Sequence, residues 1–280
     1  MVRLADSRQA SNDNSTGARL MKMRINKAAQ GGFTLVEMAV VLVIIGLILG
    51  AVSIGKDVQR NAEYTKIKQK FIDQWGVAYN THTQRTGVVP GDNQTTPRLM
   101  VNGSNYTAVA GSPISGGNMA GVAAPSAICR GAAGQKMVRA FQAGASFDLR
   151  TIMQRAGVRM PPGRAEGSED RYVYLDSNGN PQEMQVCFQW NLPSEPSGSG
   201  NVMVISGLTP DLARSLDQMF DGKPDGREGM FRQEGVTNGT PGGPGAEWSL
   251  TNTAQYNGGA NSNLDEDQID VVVGILKLNQ

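Results

Sequence analysis

Phe33 to Ile54 is a run of 22 residues with one charge, Glu37, and two other polar side chains, Thr34 and Ser53. Nothing else in the chain limits its fold so strongly. A bilayer core takes about 20 apolar residues in a helix, so the run is long enough to span one. Gly31 and Gly32 stand directly before it. The carboxylate is the anomaly: a charge inside a membrane-length helix costs roughly 2.5–3.5 kcal/mol on insertion scales, and such residues are as a rule functional. Gly46, Gly50 and Gly55 lower helix propensity in water, whereas in a packed bundle small residues let helices approach closely. A plain signal anchor, a cleaved secretory signal with Ala51-Val52-Ser53 as the cut site, and a buried core helix all fit the apolar run. None of them explains a glycine pair before the run and a glutamate just inside it.

Charge is unevenly spread. Residues 1–32 hold six Lys/Arg against Asp6 and Asp13, leaving 20 basic and 23 acidic residues beyond them, a net of −3. A basic tip before an apolar run is a targeting pattern. Nucleic-acid binding would need a basic face or aromatic ladder on the folded part, and neither is seen. Met1 to Leu20 is polar and without periodicity. Met21 and Met23 are alternative starts, and either leaves a short basic leader ending in Gln30-Gly31-Gly32. Residues 1–32 are therefore left out of the fold.

Gly32-Phe33-Thr34-Leu35-Val36-Glu37 resembles the processing site of type IV prepilins and of the related pseudopilins of type II secretion. The resemblance is strong over about residues 31–85 and looser beyond. It implies a cut after Gly32 by a prepilin peptidase, N-methylation of Phe33, and Glu37 as the fifth residue of the mature chain. It also implies an inner-membrane helix covering 33–55, a periplasmic globular domain over 56–280, and polymerisation with like or related subunits on an inner-membrane assembly platform in a Gram-negative bacterium. The physics agrees. A new amine on Phe33 and the carboxylate of Glu37 are two charges in low dielectric, and each needs a partner. In a staggered stack of helices the carboxylate of one subunit meets the amine of the next, so Glu37 is read as an assembly residue. The competing reading is a snorkelling carboxylate paired with its own N-terminus.

Tyr64, Ile67, Phe71, Trp75 and Ala78 recur at spacings of three and four, which predicts that the helix continues beyond the membrane as an amphipathic one. One unkinked helix is expected from about Phe33 to His82, roughly 75 Å at 1.5 Å per residue, with Gly87 and Val88-Val89-Pro90-Gly91-Asp92 ending it. Residues 93–133 read as a long loop region tied down by Cys129. Short helices are expected over Lys136–Ala143 and after Ser146 as a cap, up to Gly157. Strands are expected at 172–175, 184–190, 202–205 and 269–278. A turn at Asp176–Asn180 joins the first two, and a helix from Thr209-Pro210 runs through Phe220. The fold class is thus α+β and pilin-like: a long N-terminal helix packed on a roughly four-stranded antiparallel sheet, with a loop-rich insertion. The alternative folds 93–165 apart as a second subdomain.

Few residues suggest chemistry. Cys129 and Cys187 fit one disulfide in an oxidising compartment, against two unrelated thiols. Asp221 to Gly229 resembles a glycine-rich acidic loop of a subset of pilin-like proteins, in which Asp221, Asp225 and Glu228 would offer oxygen ligands to calcium, with Leu264–Asp267 as a further acidic cluster. The plainer reading is a solvated double turn that binds no metal. His82, the only histidine, is read as a solvent-facing helix residue and not a general base. No nucleophile elbow, nucleotide-binding glycine fingerprint or zinc spacing is present. The expected function is a structural fibre subunit. The alternative is a secreted monomeric binding protein released after Ser53, and an exported enzyme is more distant.

Overall fold

The computed structural model describes residues 33–106, 125, 127–129, 148–193, 195–235, 248 and 271–278. The chain divides into two compact units, Met1–Val52 and Ser53–Gln280. In the first, the described residues are Phe33, Thr34 and the helix that follows them, and every one is exposed. The helix, α1, spans Leu35–Ile67 and carries the chain into the second unit.

There, the buried stripe forms as its spacing requires. Tyr64, Ile67, Phe71, Trp75 and Ala78 are all buried. The helix is not uniform, however. A single π turn, Lys68–Ile72, separates α1 from α2, Asp73–Thr86. One π turn takes an extra residue without breaking the rod, so the adjacent Phe71 and Ile72 both turn inward, each with no exposed surface. Lys68 Nζ bridges the wide turn to Asp73, at 2.9 and 3.0 Å from its two carboxylate oxygens. The sequence spacing alone gave no sign of it, because 64, 67, 71, 75 and 78 also fit an ordinary helix. α2 runs four residues past His82, to a left-handed Gly87 (φ 75°) whose N–H donates to Thr83 O.

The sheet has five antiparallel strands among the described residues, not four, in the order β1-β2-β3-β5-β4. They are β1 Arg171–Leu175, β2 Pro181–Asn191, β3 Gly200–Leu208, β4 Phe231–Gln233 and β5 Val272–Lys277. β4 has only three residues and no alternation to betray it. It exists because β5 offers an edge, with Phe231 opposite Leu276 and Gln233 opposite Gly274. The Asp176–Asn180 turn forms, with Asp176 accepting from the N–H groups of Asn178 and Asn180 and from Gln182. β3 is longer than expected because a bulge between Ile205 and Leu208 carries it on. Gly207 makes the bulge, at φ 78° and so close to β2 that any Cβ would collide with the carbonyl of Glu183.

Side chains alternate faces along a strand, and here both faces are buried. Val186, Phe188, Met203, Ile205, Val272 and Leu276 join the helix stripe in the main core. Phe188 lies 5.0 Å from the Tyr79 ring and 6.1 Å from Trp75, and Phe71 packs on Tyr172. Fully burying each large apolar side chain is worth about 1.5–3 kcal/mol. The intervening residues, Cys187, Val202, Val204, Val273 and Ile275, form a second cluster with Ala127 and Cys129 on the opposite face.

α3, Leu149–Arg155, starts later than expected: Asp148 caps it by accepting the Thr151 N–H at 2.6 Å. α4, Pro210–Asp221, has the expected threonine cap and first-turn proline. The helix expected at Lys136–Ala143, the Ser146 cap, the Leu264–Asp267 cluster and most of the loop over 93–133 lie outside the described residues.

Candidate functional site

The motif at the start of α1 is a closed local structure. Thr34 is the N-cap and Glu37 the third helical residue. The Thr34 N–H donates to Glu37 Oε2 at 2.7 Å, and the Glu37 N–H donates to Thr34 Oγ1 at 3.2 Å. This reciprocal pair is a capping box, which satisfies two of the backbone donors a helix start leaves open. Sequence reasoning treated Glu37 only as a charge in need of a partner. The Thr-x-x-Glu spacing that announces a capping box was there to be read. The box uses one carboxylate oxygen, and Oε1 has no partner among the described residues.

The helix that follows is apolar on all sides. Phe33, Leu35 and most large side chains to Ile54 are exposed. A Cβ at Gly46, Gly50 or Gly55 would meet nothing within 4 Å. One helix among the described residues, Leu35–Thr86, is long and apolar enough to cross a membrane, with a mean hydropathy of 2.8 in its most apolar stretch.

A model for the prokaryotic N-terminal methylation motif matches residues 27–53. The chain carries a prokaryotic N-terminal methylation motif. That motif takes in the end of the basic segment, the glycine pair, Glu37 and the apolar run, and stops where the second unit begins. With the long helix and antiparallel sheet, it is consistent with the type IV pilin and pseudopilin family. No curated protein and no solved structure matches the chain. Gly32, on the leader side of the motif's expected cut, lies outside the described residues, and Phe33 is the first described one.

The other candidate residues divide into several places. Cys129 and Cys187 are joined by a disulfide with a Cα–Cα distance of 5.1 Å. The acidic loop engages its carboxylates with its own backbone and with Lys223. Asp221 Oδ2 accepts the N–H groups of Met230 and Phe231, both at 2.9 Å. Asp225 accepts the Arg227 N–H and lies 3.1 Å from Lys223 Nζ, while Glu228 lies 3.5 Å from the same ammonium. Among the described residues, no three His, Cys, Asp or Glu side chains are grouped to hold a metal ion.

His82 is not solvent-facing: it is buried, 4% exposed. It lies four residues after Ala78 and so continues the buried stripe of the helix. Burial holds its imidazole below the ordinary value, against a hydrogen bond to the Val88 backbone, and Thr86 Oγ1 lies 3.3 Å from Nδ1.

Asp217 was missed altogether. It sits on α4 with no exposed surface, and its Oδ2 accepts the Trp248 indole N–H at 2.8 Å. Burial pushes its pKa from an ordinary 3.8 to about 7, with Asp221 adding to the rise and bonds from Trp248 and the Asp225 backbone opposing it. An acid whose folded pKa is raised keeps its proton while the unfolded chain ionises. Stability from this group is therefore full below about pH 4 and is lost as pH rises toward about 7, by at most about 1.4 kcal/mol per pH unit. Asp217→Asn keeps an acceptor for Trp248 and removes the titration. Urea unfolding of the full chain in detergent at pH 5 and pH 8 should show the wild type losing stability relative to Asp217→Asn. Parallel pH profiles for the two proteins would count against this role for the carboxyl group.

Proposed function

We propose that this chain is the precursor of a type IV pilus or type II secretion pseudopilus subunit, with a structural rather than a catalytic role. It is cut after Gly32 by a prepilin peptidase, N-methylated on Phe33, and held in the inner membrane by α1 with its second unit in the periplasm. It polymerises with like or related subunits through α1 on an inner-membrane assembly platform. The observation that carries this reading is the methylation-motif match over residues 27–53. The helix supports it in two ways: it begins at a capped Glu37, and its apolar residues beyond that point find no partner within their own unit.

Glu37 has a place in this scheme that fits its geometry. The capping box survives the cut, since the Thr34 N–H is an internal amide, and Oε1 stays open for a cation. The amine created on Phe33 of a neighbouring subunit is such a cation. Mass spectrometry of the mature N-terminus tests the reading. The expected result is a chain beginning at Phe33 with one added methyl group, whereas a chain beginning at Ile54 would mean a secreted protein released after Ser53 and would end the proposal.

A further inference from the structure

Beside its buried stripe, the helix of the second unit has a face that the sheet does not cover. Lys70, Gln74, Val77, Thr81 and Arg85 follow one another at helical spacings of three and four and so lie on one side of the rod. Val77, at the middle of that row, is 57% exposed, whereas the adjacent Ala78 is buried in the main core.

The chain after α3 supplies a wall along this face. Arg85 Nη1 donates to the carbonyls of Ala156 and Gly157. Val158 is in the main core and donates its N–H to Met153 O at 2.9 Å. Residues 158–162 are thereby held alongside the helix, and a groove of about 690 Å³ lies between the two. Val77, Met160, Pro161 and Pro162 give it an apolar lining, and Lys70, Arg85 and Arg159 give it three cations. Among the described residues, no carboxylate and no aromatic ring lines it. Lys70 and Arg159 are exposed and have no ion pair with a described residue.

The lining selects the occupant. Three cations without a counter-charge call for an anion. A nucleic acid is favoured by rings on which its bases stack, and the groove has none. A lipid headgroup is remote, since about 24 Å of helix separates Lys70 from the end of the apolar run at Ile54. From Lys70 to Arg85 the face is roughly 22 Å long, the span of about seven residues of extended chain. Successive side chains of such a chain point to opposite sides, so one row meets the apolar lining while the other meets the cations. The proline pair has no N–H to offer, so recognition here runs through side chains and not through an added strand. Both walls are fixed before anything binds, which lowers the cost of docking.

We infer that the groove between α2 and residues 158–162 is a docking site for an extended segment of another protein in which acidic and aliphatic residues alternate. The site lies wholly in the second unit and does not depend on polymerisation.

Fluorescence anisotropy on the full chain in detergent micelles tests this, with a labelled heptapeptide of alternating glutamate and leucine as the probe. Wild type should bind it with submillimolar affinity that weakens as salt rises. Lys70→Glu combined with Arg159→Glu should keep the thermal midpoint and bind about tenfold more weakly in the same micelles, and Val77→Asp should lose at least as much. A glutamate–serine heptapeptide should bind about tenfold less than the probe, and a lysine–leucine one not at all. The inference is overturned by no binding of the probe at about 1 mM, by equal binding of the serine peptide, or by tighter binding of a single-stranded oligonucleotide. Self-association of the chain that the double variant abolishes would also overturn it, since the groove would then belong to a second copy.

Discussion

Glu37→Gln should leave the subunit folded, inserted and cut, yet reduce its entry into fibres about a hundredfold or more. The two jobs of Glu37 separate at this substitution. Glutamine serves in a capping box as well as glutamate does, so the helix start at Thr34 survives. What glutamine lacks is charge. If Oε1 meets the amine of a neighbouring Phe33 in low dielectric, removing one partner leaves the other charge buried and alone, at a cost of roughly 3–5 kcal/mol, which is a factor of about a hundred or more in an equilibrium. Glu37→Ala loses the cap as well, at a further cost of about 1 kcal/mol. Co-expression of each variant with wild type, followed by mass spectrometry of sheared fibres, gives the incorporated ratio directly. If Glu37 acts only as a cap, Glu37→Gln will incorporate like wild type and only Glu37→Ala will lag. That outcome would defeat the pairing argument.

The capping box also shows what sequence reading reached and where it stopped. The glycine pair, Phe33, Glu37 and the apolar run are local and contiguous, so their meaning is written in one stretch of chain. The helix stripe was legible for a similar reason: the burial of Tyr64, Ile67, Phe71, Trp75 and Ala78 follows from a period. Four of the five strands carry dense β-branched or aromatic residues, or an Asn-Gly turn, and were readable within a few residues. β4 was not, because a three-residue strand is made by its neighbour and not by its own sequence. The π turn was hidden because the buried stripe keeps ordinary helical spacing across it, so that only the burial of Ile72 beside Phe71 departs from the pattern. Asp217 was hidden because a carboxyl on α4 looks like any solvated helix residue until Trp248, 31 residues on, is seen to bond it. Local pattern carried the methylation motif and the elements; tertiary partners decided burial and protonation.

Breaking the Cys129–Cys187 bond should cost the second unit about 4 kcal/mol. The bond spans 58 residues, and closing a loop of that length removes much chain entropy from the unfolded state. For a folded unit of this size the loss corresponds to a drop in thermal midpoint on the order of 10 °C. The position of the bond sharpens the expectation. Cys187 is on β2 and points to the face that carries Val202, Val204, Val273 and Ile275, all nearly fully buried. Cys129 brings Ala127 onto that same face, while the Ile128 N–H donates to Phe188 O and its side chain joins the main core. The bond therefore fastens a piece of the 93–133 loop region to a β-sheet face that, among the described residues, otherwise clusters strand residues alone with Ala127. Cys129→Ala with Cys187→Ala separates the crosslink from thiol chemistry, since neither residue then titrates or oxidises, and reduced wild type provides the second arm. Both should unfold at a lower temperature than the oxidised protein, and by similar amounts. An unchanged midpoint in both would mean the face is closed without the bond. The dependence also carries a consequence for where the chain folds: such a bond persists outside the reducing cytosol, so a subunit kept on the cytosolic side should be the less stable form, and the midpoint of protein purified with its leader uncut and untranslocated should match that of the reduced chain.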